Sequence, residues 1–362
     1  MKVAIVLGTR PEIIKFSSII RELIKRKIDF ILVHTNQHYS KNMDSLFFEQ
    51  FDIPPPHYNL GIGSLDHNKQ ISKIISELSD IYRLEKPDVV LVQGDTNSTL
   101  GGAMAALPFS IPIAHIEGGL RSFDRTMPEE MNRIITDHIS TFIFPPTENS
   151  YNNLINEGLA DRKIFTVGNT IVDSFKENTE KVYNLLNKHK ERNYGDFILV
   201  TLHRQENVDN FEKLKVFFEI IKYVSINSEY GIVFPIHPRT VKRFEEFGLY
   251  ENLKKLDIDL IEPLGYFEFL SKQINAKLVV TDSGGIQEES CIFGVPCITL
   301  RENTERPETL ELGSNVLTGL NLNKFRIAFK KTIGNSHKSW NHPYGDGFTG
   351  YKIIEILMKE IG

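Results

Sequence analysis

Cysteine is scarce in this sequence: Cys291 and Cys297 are the only two among 362 residues. Two cysteines cannot build a disulfide framework, and they lack the paired spacing of a structural zinc site, so a reducing, cytoplasmic setting is expected. Long apolar runs are missing too. The N-terminal run Val3–Leu7 is too short for a signal-peptide core, and no stretch nears the roughly 20 apolar residues of a membrane span. No membrane association is expected. Like charges never gather into a block, and 42 basic against 47 acidic side chains leave a formal charge of −5. Nothing in that field recruits nucleic acid, so any phosphate site must be local. The first strand-end loop has no G-x-G-x-x-G, and G-x-x-x-x-G-K-[ST] is absent throughout, which removes most of the case for nicotinamide enzymes and P-loop NTPases. H-E-x-x-H is absent, as is any pair of Asp residues placed to chelate Mg²⁺. Neither metal nor cofactor is expected.

What remains is an ordinary globular composition, 41% hydrophobic and 25% charged, in a chain long enough for two domains. Short β-branched runs alternate with segments of helical periodicity. Lys2–Leu7, Phe30–Thr35, Val89–Gln93, Ile111–Ile116, Phe142–Phe144 and Lys163–Val167 read as strands, separated by helical stretches such as Glu12–Arg26 and Lys69–Leu84. The strands lack strict alternation, as strands buried on both faces of a parallel sheet do. A long charged helix is expected over Asp173–Lys190. The alternation then restarts at Phe197–Thr201, Ile232–Pro235, Asp259–Ile261, Leu278–Thr281 and Cys297–Leu300. The expectation is an α/β protein of two Rossmann-like, doubly wound parallel-sheet domains facing a central cleft. The first spans 1–170 and the second 171–345, with a final helix within 346–362 packing back on the first. In open α/β sheets ligands sit beyond the carboxyl ends of the strands, so the strand-end loops are the place to seek chemistry.

The first strand ends in Gly8-Thr9-Arg10-Pro11-Glu12, with Lys15 about one helical turn inside; Arg10 and Lys15 are candidates to reach a phosphate, or are ordinary solvated cations. Val89–Gln93 runs into Gly94-Asp95-Thr96-Asn97-Ser98, where Asp95 is either functional or a helix cap. His115-Ile116-Glu117-Gly118-Gly119-Leu120-Arg121 puts a second carboxylate at an equivalent strand end. In Pro128-Glu129-Glu130-Met131-Asn132-Arg133 an i,i+4 pair of Glu129 with Arg133 and dipole complementation offer a purely structural account. Carboxylates crowded together at Asp95, Glu117 and Glu129 raise one another's pKa and become acid–base candidates. Further along, Asp282-Ser283-Gly284-Gly285-Ile286-Gln287-Glu288-Glu289 opens a helix. The N–H groups of Ser283, Gly284 and Gly285 there would form an anion site, and Glu289 could accept both hydroxyls of a ribose. His203 and His237, also after strands, are further phosphate candidates. Arg10, Lys15, His203 and Ser283–Gly285 together look like a diphosphate site drawn from both domains.

These motifs, with Thr304-Glu305-Arg306-Pro307-Glu308 and Pro343-Tyr344-Gly345-Asp346-Gly347, occur in order along the chain and together resemble the non-hydrolysing UDP-N-acetylglucosamine 2-epimerases. The resemblance implies the GT-B architecture and reversible inversion at C2 of UDP-GlcNAc to UDP-ManNAc, a precursor of surface polysaccharide. C2–H is not α to a carbonyl, so simple deprotonation is prohibitive. The family instead eliminates UDP to a 2-acetamidoglucal and adds it back with protonation from the other face. Carried over by resemblance, Asp95, Glu117 and Glu129 are acid–base residues, Arg133 orients them, and His203 stands beside the departing diphosphate. Arg10, Lys15, His203, His237, Ser283, Gly284, Gly285, Glu289 and Arg306 would hold UDP. Cations and helix-end amides would stabilise the leaving group, and closure of the cleft would exclude water. The UDP-sugar is the expected partner, in a homodimer. One departure stands out: many bacterial members carry Gln-His-Arg after the second strand, linked to activation by a second UDP-GlcNAc, and here Gln37-His38-Tyr39 puts Tyr39 in place of that Arg.

Other activities fit less well. A hydrolysing epimerase, releasing ManNAc and UDP, typically opens with Gly-Ser-Arg-Ala-Glu rather than a loop like Gly8–Lys15. An epimerase of the same family acting on a UDP-linked 2,3-diacetamido uronic acid stays open, since specificity at C3 and C6 depends on loops that the motifs do not place. A GT-B glycosyltransferase, or a non-catalytic nucleotide-sugar sensor, would leave the acid cluster unexplained.

Overall fold

The computed structural model describes residues 1–37, 47–191, 195–333 and 340–362; Tyr39 and the rest of the expected regulatory stretch from His38 onward lie outside them. The chain divides into two units, Met1–Asn178 with Pro343–Gly362, and Thr179–His342.

The first unit is built on a seven-stranded parallel sheet. Its strands are β1 (Lys2–Leu7), β2 (Asp29–His34), β3 (Tyr58–Asn59), β4 (Val89–Gln93), β5 (Ile113–Ile116), β6 (Phe142–Phe144) and β7 (Lys163–Ile164), in the order β3-β2-β1-β4-β5-β6-β7. The order reverses between β1 and β4, whose pairing matches Val3 with Val89 and Ile5 with Leu91. Loops on the two sides of such a switch point diverge and leave a crevice. Val3–Leu7 and Val89–Gln93 are fully buried, and on one face Ala4, Val6, Val90 and Val92 pack with Ile74 and Leu78 of the helix His67–Glu85.

The second unit repeats the plan with six parallel strands: β8 (Phe197–Val200), β9 (Gly231–Pro235), β10 (Asp259–Ile261), β11 (Leu278–Thr281), β12 (Cys297–Thr299) and β13 (Asn315–Leu317). Their order is β10-β9-β8-β11-β12-β13, with the switch between β8 and β11. Ile198, Val200, Val280 and Ile298 pack on one face with Phe217, Phe234 and Phe325, and Leu199, Val279 and Cys297 on the other. Each unit is a Rossmann-like, doubly wound parallel sheet, as expected.

The helix expected over Asp173–Lys190 is two helices, Thr170–Glu177 and Thr179–Glu191. Asn178 ends the first by donating its amide to the Ser174 carbonyl at 2.8 Å, and the division between the units falls at this break. The helix Thr349–Ile361 buries Ile353, Ile354 and Leu357 against the helices Arg10–Arg26 and Thr170–Glu177. It is pinned by ion pairs of Glu360 with Lys163 and of Glu355 with Arg26. Among the described residues no helix is long and apolar enough to cross a membrane.

Candidate active site

In the first unit the chemistry gathers at the carboxyl ends of β1, β4 and β5. The loop after β1 leads into the helix Arg10–Arg26, with Pro11 in its first turn. Glu12 turns inward there. Its Oε2 accepts from the Gly8 N–H at 2.9 Å and the Thr9 hydroxyl at 2.8 Å, and its Oε1 accepts from the Thr96 hydroxyl at 2.9 Å. One carboxylate thus ties the Arg10 loop to the Asp95 loop. Burial pushes Glu12 up to about 7, although the bonds from Gly8, Thr9 and Thr96 favour the ionised form. Sequence reading quoted Glu12 only as part of a motif, because a carboxylate in a first helical turn usually faces solvent.

Lys15, expected at a phosphate, points its Nζ at Glu117 Oε1, 2.5 Å away. Glu117 is buried and left-handed, φ +63°, a region few residues other than glycine adopt. Its amide donates to the Phe144 carbonyl at 3.1 Å. Its Oε1 also accepts from Asn169 Nδ2 at 2.6 Å, and its Oε2 from Gln93 Nε2 at 3.3 Å. The carboxylate reaches the β4 loop: a Cβ built on Gly94 would lie 3.7 Å from Glu117 Oε2. Glu117 and Asp95 therefore stand at adjacent strand ends. Arg10 lies over the Phe47 ring, 5.5 Å from its centroid.

Asp95 is about one-third exposed and forms an ion pair with the buried Arg133. The i,i+4 alternative for Glu129 does not occur: Arg133 instead binds Glu130, one residue on, through Nε at 3.0 Å and Nη2 at 2.7 Å. Burial works to raise the Glu130 carboxyl, and the Ser122 N–H, Arg133 and the Phe123 N–H outweigh it and hold it below the ordinary range. Glu129 is exposed in the first turn of the helix Pro128–Ile139. Glu130 is thus the anchor that holds Arg133 toward Asp95, a role hidden in the sequence because the two acids are neighbours of one type. Behind them His115 bridges Asp137 Oδ1 (2.6 Å) and the Gly94 carbonyl (2.8 Å), bracing the loop that carries Asp95.

In the second unit the same end of the sheet carries His203, half-exposed, whose Nδ1 lies 3.0 Å from the buried Asp282. Asp282 also accepts from the Arg204 N–H at 2.9 Å and Asn207 Nδ2 at 3.0 Å. Burial alone would raise Asp282, but His203 and these bonds hold it below its usual value. The carboxylate fixes the imidazole and leaves Nε2 as the nitrogen turned away from it.

The helix Gly284–Phe293 begins beside this pair. The Ser283 N–H donates to the Thr281 hydroxyl at 3.0 Å, and the amides of Gly284 and Gly285 follow it in the first turn. Arg306 is buried near Gly284, with its Nε 3.4 Å from Glu288 and its Nη1 3.4 Å from Glu305. Arg301 approaches the same glycine, clamped by Glu305 through two bonds of 3.0 and 2.7 Å. Glu289 is buried, and its carboxylate lies 3.5 Å from the Tyr266 hydroxyl. His237, at the end of the neighbouring strand β9, is the exposed cap of the helix Pro238–Glu246, its Nδ1 accepting from the Arg239 N–H at 3.2 Å.

Against known proteins, the match to the UDP-N-acetylglucosamine 2-epimerase family covers residues 21–358. The chain belongs to this family. A UDP-N-acetylglucosamine 2-epimerase of Methanocaldococcus jannaschii is 52% identical over 362 residues, covering 99% of both chains. The crystal structure of the Methanocaldococcus jannaschii epimerase in complex with UDP-GlcNAc and UDP superposes with a TM-score of 0.93 at 51% identity, covering 99% of this chain and 100% of that one. A UDP-2,3-diacetamido-2,3-dideoxy-D-glucuronate 2-epimerase of Pseudomonas aeruginosa is 40% identical over 365 residues, covering 99% of this chain and 100% of the other.

Proposed function

We propose that this epimerase interconverts UDP-N-acetylglucosamine and UDP-N-acetylmannosamine without releasing free sugar, with UDP-GlcNAc as its partner. The observation that carries the reading is the pair of carboxylates at adjacent strand ends, Glu117 held by Lys15 and Asp95 held by Arg133. Each carboxylate is oriented by its cation, as a group that exchanges a proton with C2 requires. One carboxylate takes the C2 proton while the C1–O bond breaks, and UDP leaves with the bonding electrons, giving 2-acetamidoglucal with a C1–C2 double bond. UDP then adds back at C1 as an acid delivers a proton to C2 from the opposite face. Asp95, Glu117 and Glu129 are the acid–base candidates for the two faces. His203, fixed by Asp282, and the amides of Gly284 and Gly285 with Arg306 would stabilise the charge on the departing diphosphate. Arg10 would add positive charge, and Glu289 would accept the ribose hydroxyls. His237 belongs to the same set with less support, because its Nδ1 already serves as a cap.

The loop Gly8–Lys15 supports the non-hydrolysing course over release of ManNAc. The 40% identity with an epimerase of a diacetamido uronic acid favours one second reading, the same chemistry on a substrate substituted at C3 and oxidised at C6. A homodimer is proposed as well, on the exposed Met104, Met131 and Ile135 of two helices packed together. A cytoplasmic location is proposed on the two free, buried cysteines. Proton NMR of the purified protein with UDP-GlcNAc tests the reading: UDP-ManNAc should accumulate to equilibrium. Free ManNAc would overturn the non-hydrolysing course, and turnover of the uronic acid alone would favour the second substrate.

A further inference from the structure

The motif Pro343–Gly347 has no part in the chemistry above, yet it returns from the end of the chain to the site in the first unit. The Tyr344 carbonyl accepts from the Asn169 N–H at 2.8 Å. Gly345 (φ +91°) and Gly168 (φ +98°) meet so closely that a Cβ on Gly345 would lie 3.0 Å from Gly168 Cα, and one on Gly168 would lie 2.9 Å from the Tyr344 carbonyl oxygen. Both positions need glycine, for conformation and for space. On the other side of this turn Asp173 accepts from the Thr349 and Gly350 N–H groups at 3.0 and 2.7 Å. The chain's end therefore grips the Gly168–Asn169 turn from two directions.

Asn169 is buried. Its Oδ1 caps the helix Thr170–Glu177 by accepting from the Ile171 N–H at 3.0 Å, which turns its Nδ2 to Glu117 Oε1, 2.6 Å away. We infer that Asn169 is a positioning residue for Glu117, aimed by the Tyr344–Gly345 turn of the returning chain. The inference rests on the reading of Glu117 as an acid–base residue. Lys15 supplies charge to that carboxylate through a stem of four rotatable carbons. Asn169 supplies direction, because its amide is fixed by the cap at one end and the grip of the returning chain at the other.

Two substitutions separate direction from folding. Asn169→Asp keeps the shape and the cap but replaces the donor by a negative charge, and Asn169→Ser keeps a capping oxygen with no reach to Glu117. Loss of a hydrogen bond to a charged group should lower kcat by about 10–100-fold in each, with KM little changed. In Asn169→Asp the limb of the kcat–pH profile set by Glu117 should also move upward by about one unit, since a like charge disfavours ionisation. Uniform loss at every pH, or wild-type kcat and profile in both variants, would overturn the inference. Glu117→Gln, measured alongside, separates the two levels. Near-normal turnover in Glu117→Gln overturns the acid–base reading and the inference with it; an inactive Glu117→Gln beside normal Asn169 variants overturns the inference alone.

Discussion

Lys15 Nζ and Glu117 Oε1 meet at 2.5 Å across 102 positions of sequence. The contact links the second turn of the first helix to the end of β5 across the switch point of the sheet. It makes Lys15 a partner of a carboxylate before it is a partner of any phosphate, and it gives the buried Glu117 a cation to face.

If Asp95, Glu117 and Glu129 are the acid–base groups, each amide variant (Asp95→Asn, Glu117→Gln, Glu129→Gln) should keep UDP binding while turnover falls by roughly 10²–10⁴-fold. Steady-state kinetics with calorimetry of UDP binding checks this. Glu129 is the most exposed of the three, so normal turnover in Glu129→Gln alone would move its role to the residues around Arg133.

The buried Glu289 should carry part of the affinity for UDP. Replacing it by Ala should weaken binding by about 1.5–3 kcal/mol, the range for a hydrogen bond to a charged group. Wild-type affinity by calorimetry would remove Glu289 from the site.

Glu12 carries a pH signature. Its folded value of about 7 lies above the ordinary 4.5, so the folded chain binds this proton more tightly than the unfolded chain does. That share of stability is present below the ordinary value and is lost as pH rises toward about 7, on the order of 3 kcal/mol in all. Glu12→Gln has no such proton. Urea denaturation of both proteins from about pH 5 to about pH 8 should show the stability difference shifting in favour of the variant as pH rises. A constant difference across that range would mean that Glu12 titrates normally.

Much of this was legible in the sequence. The buried strands Lys2–Leu7 and Val89–Gln93 are apolar runs bounded by turn residues, and β4, β6, β10 and β11 occupy the expected positions. Two short strands at sheet edges, Tyr58–Asn59 and Asn315–Leu317, escaped notice. The break at Asn178 was hidden because one Asn in a charged helical stretch announces no cap until its amide is seen on the Ser174 carbonyl. For the site, residue types at strand ends were readable, but partners were not. Nothing in the order of the chain says that Arg133 prefers Glu130 to Glu129, or that Asn169 aims at Glu117. The first comes from the face of the helix Pro128–Ile139 that is buried, which carries Glu130 and Arg133 together, and the second from the turn that the returning chain holds.

The central claim is that C2 loses its hydrogen as a proton and regains another from a group in exchange with solvent. UDP-GlcNAc incubated with the protein in D₂O and followed by NMR tests it most directly. The account predicts UDP-ManNAc carrying deuterium at C2; UDP-ManNAc that keeps its original hydrogen there would contradict it.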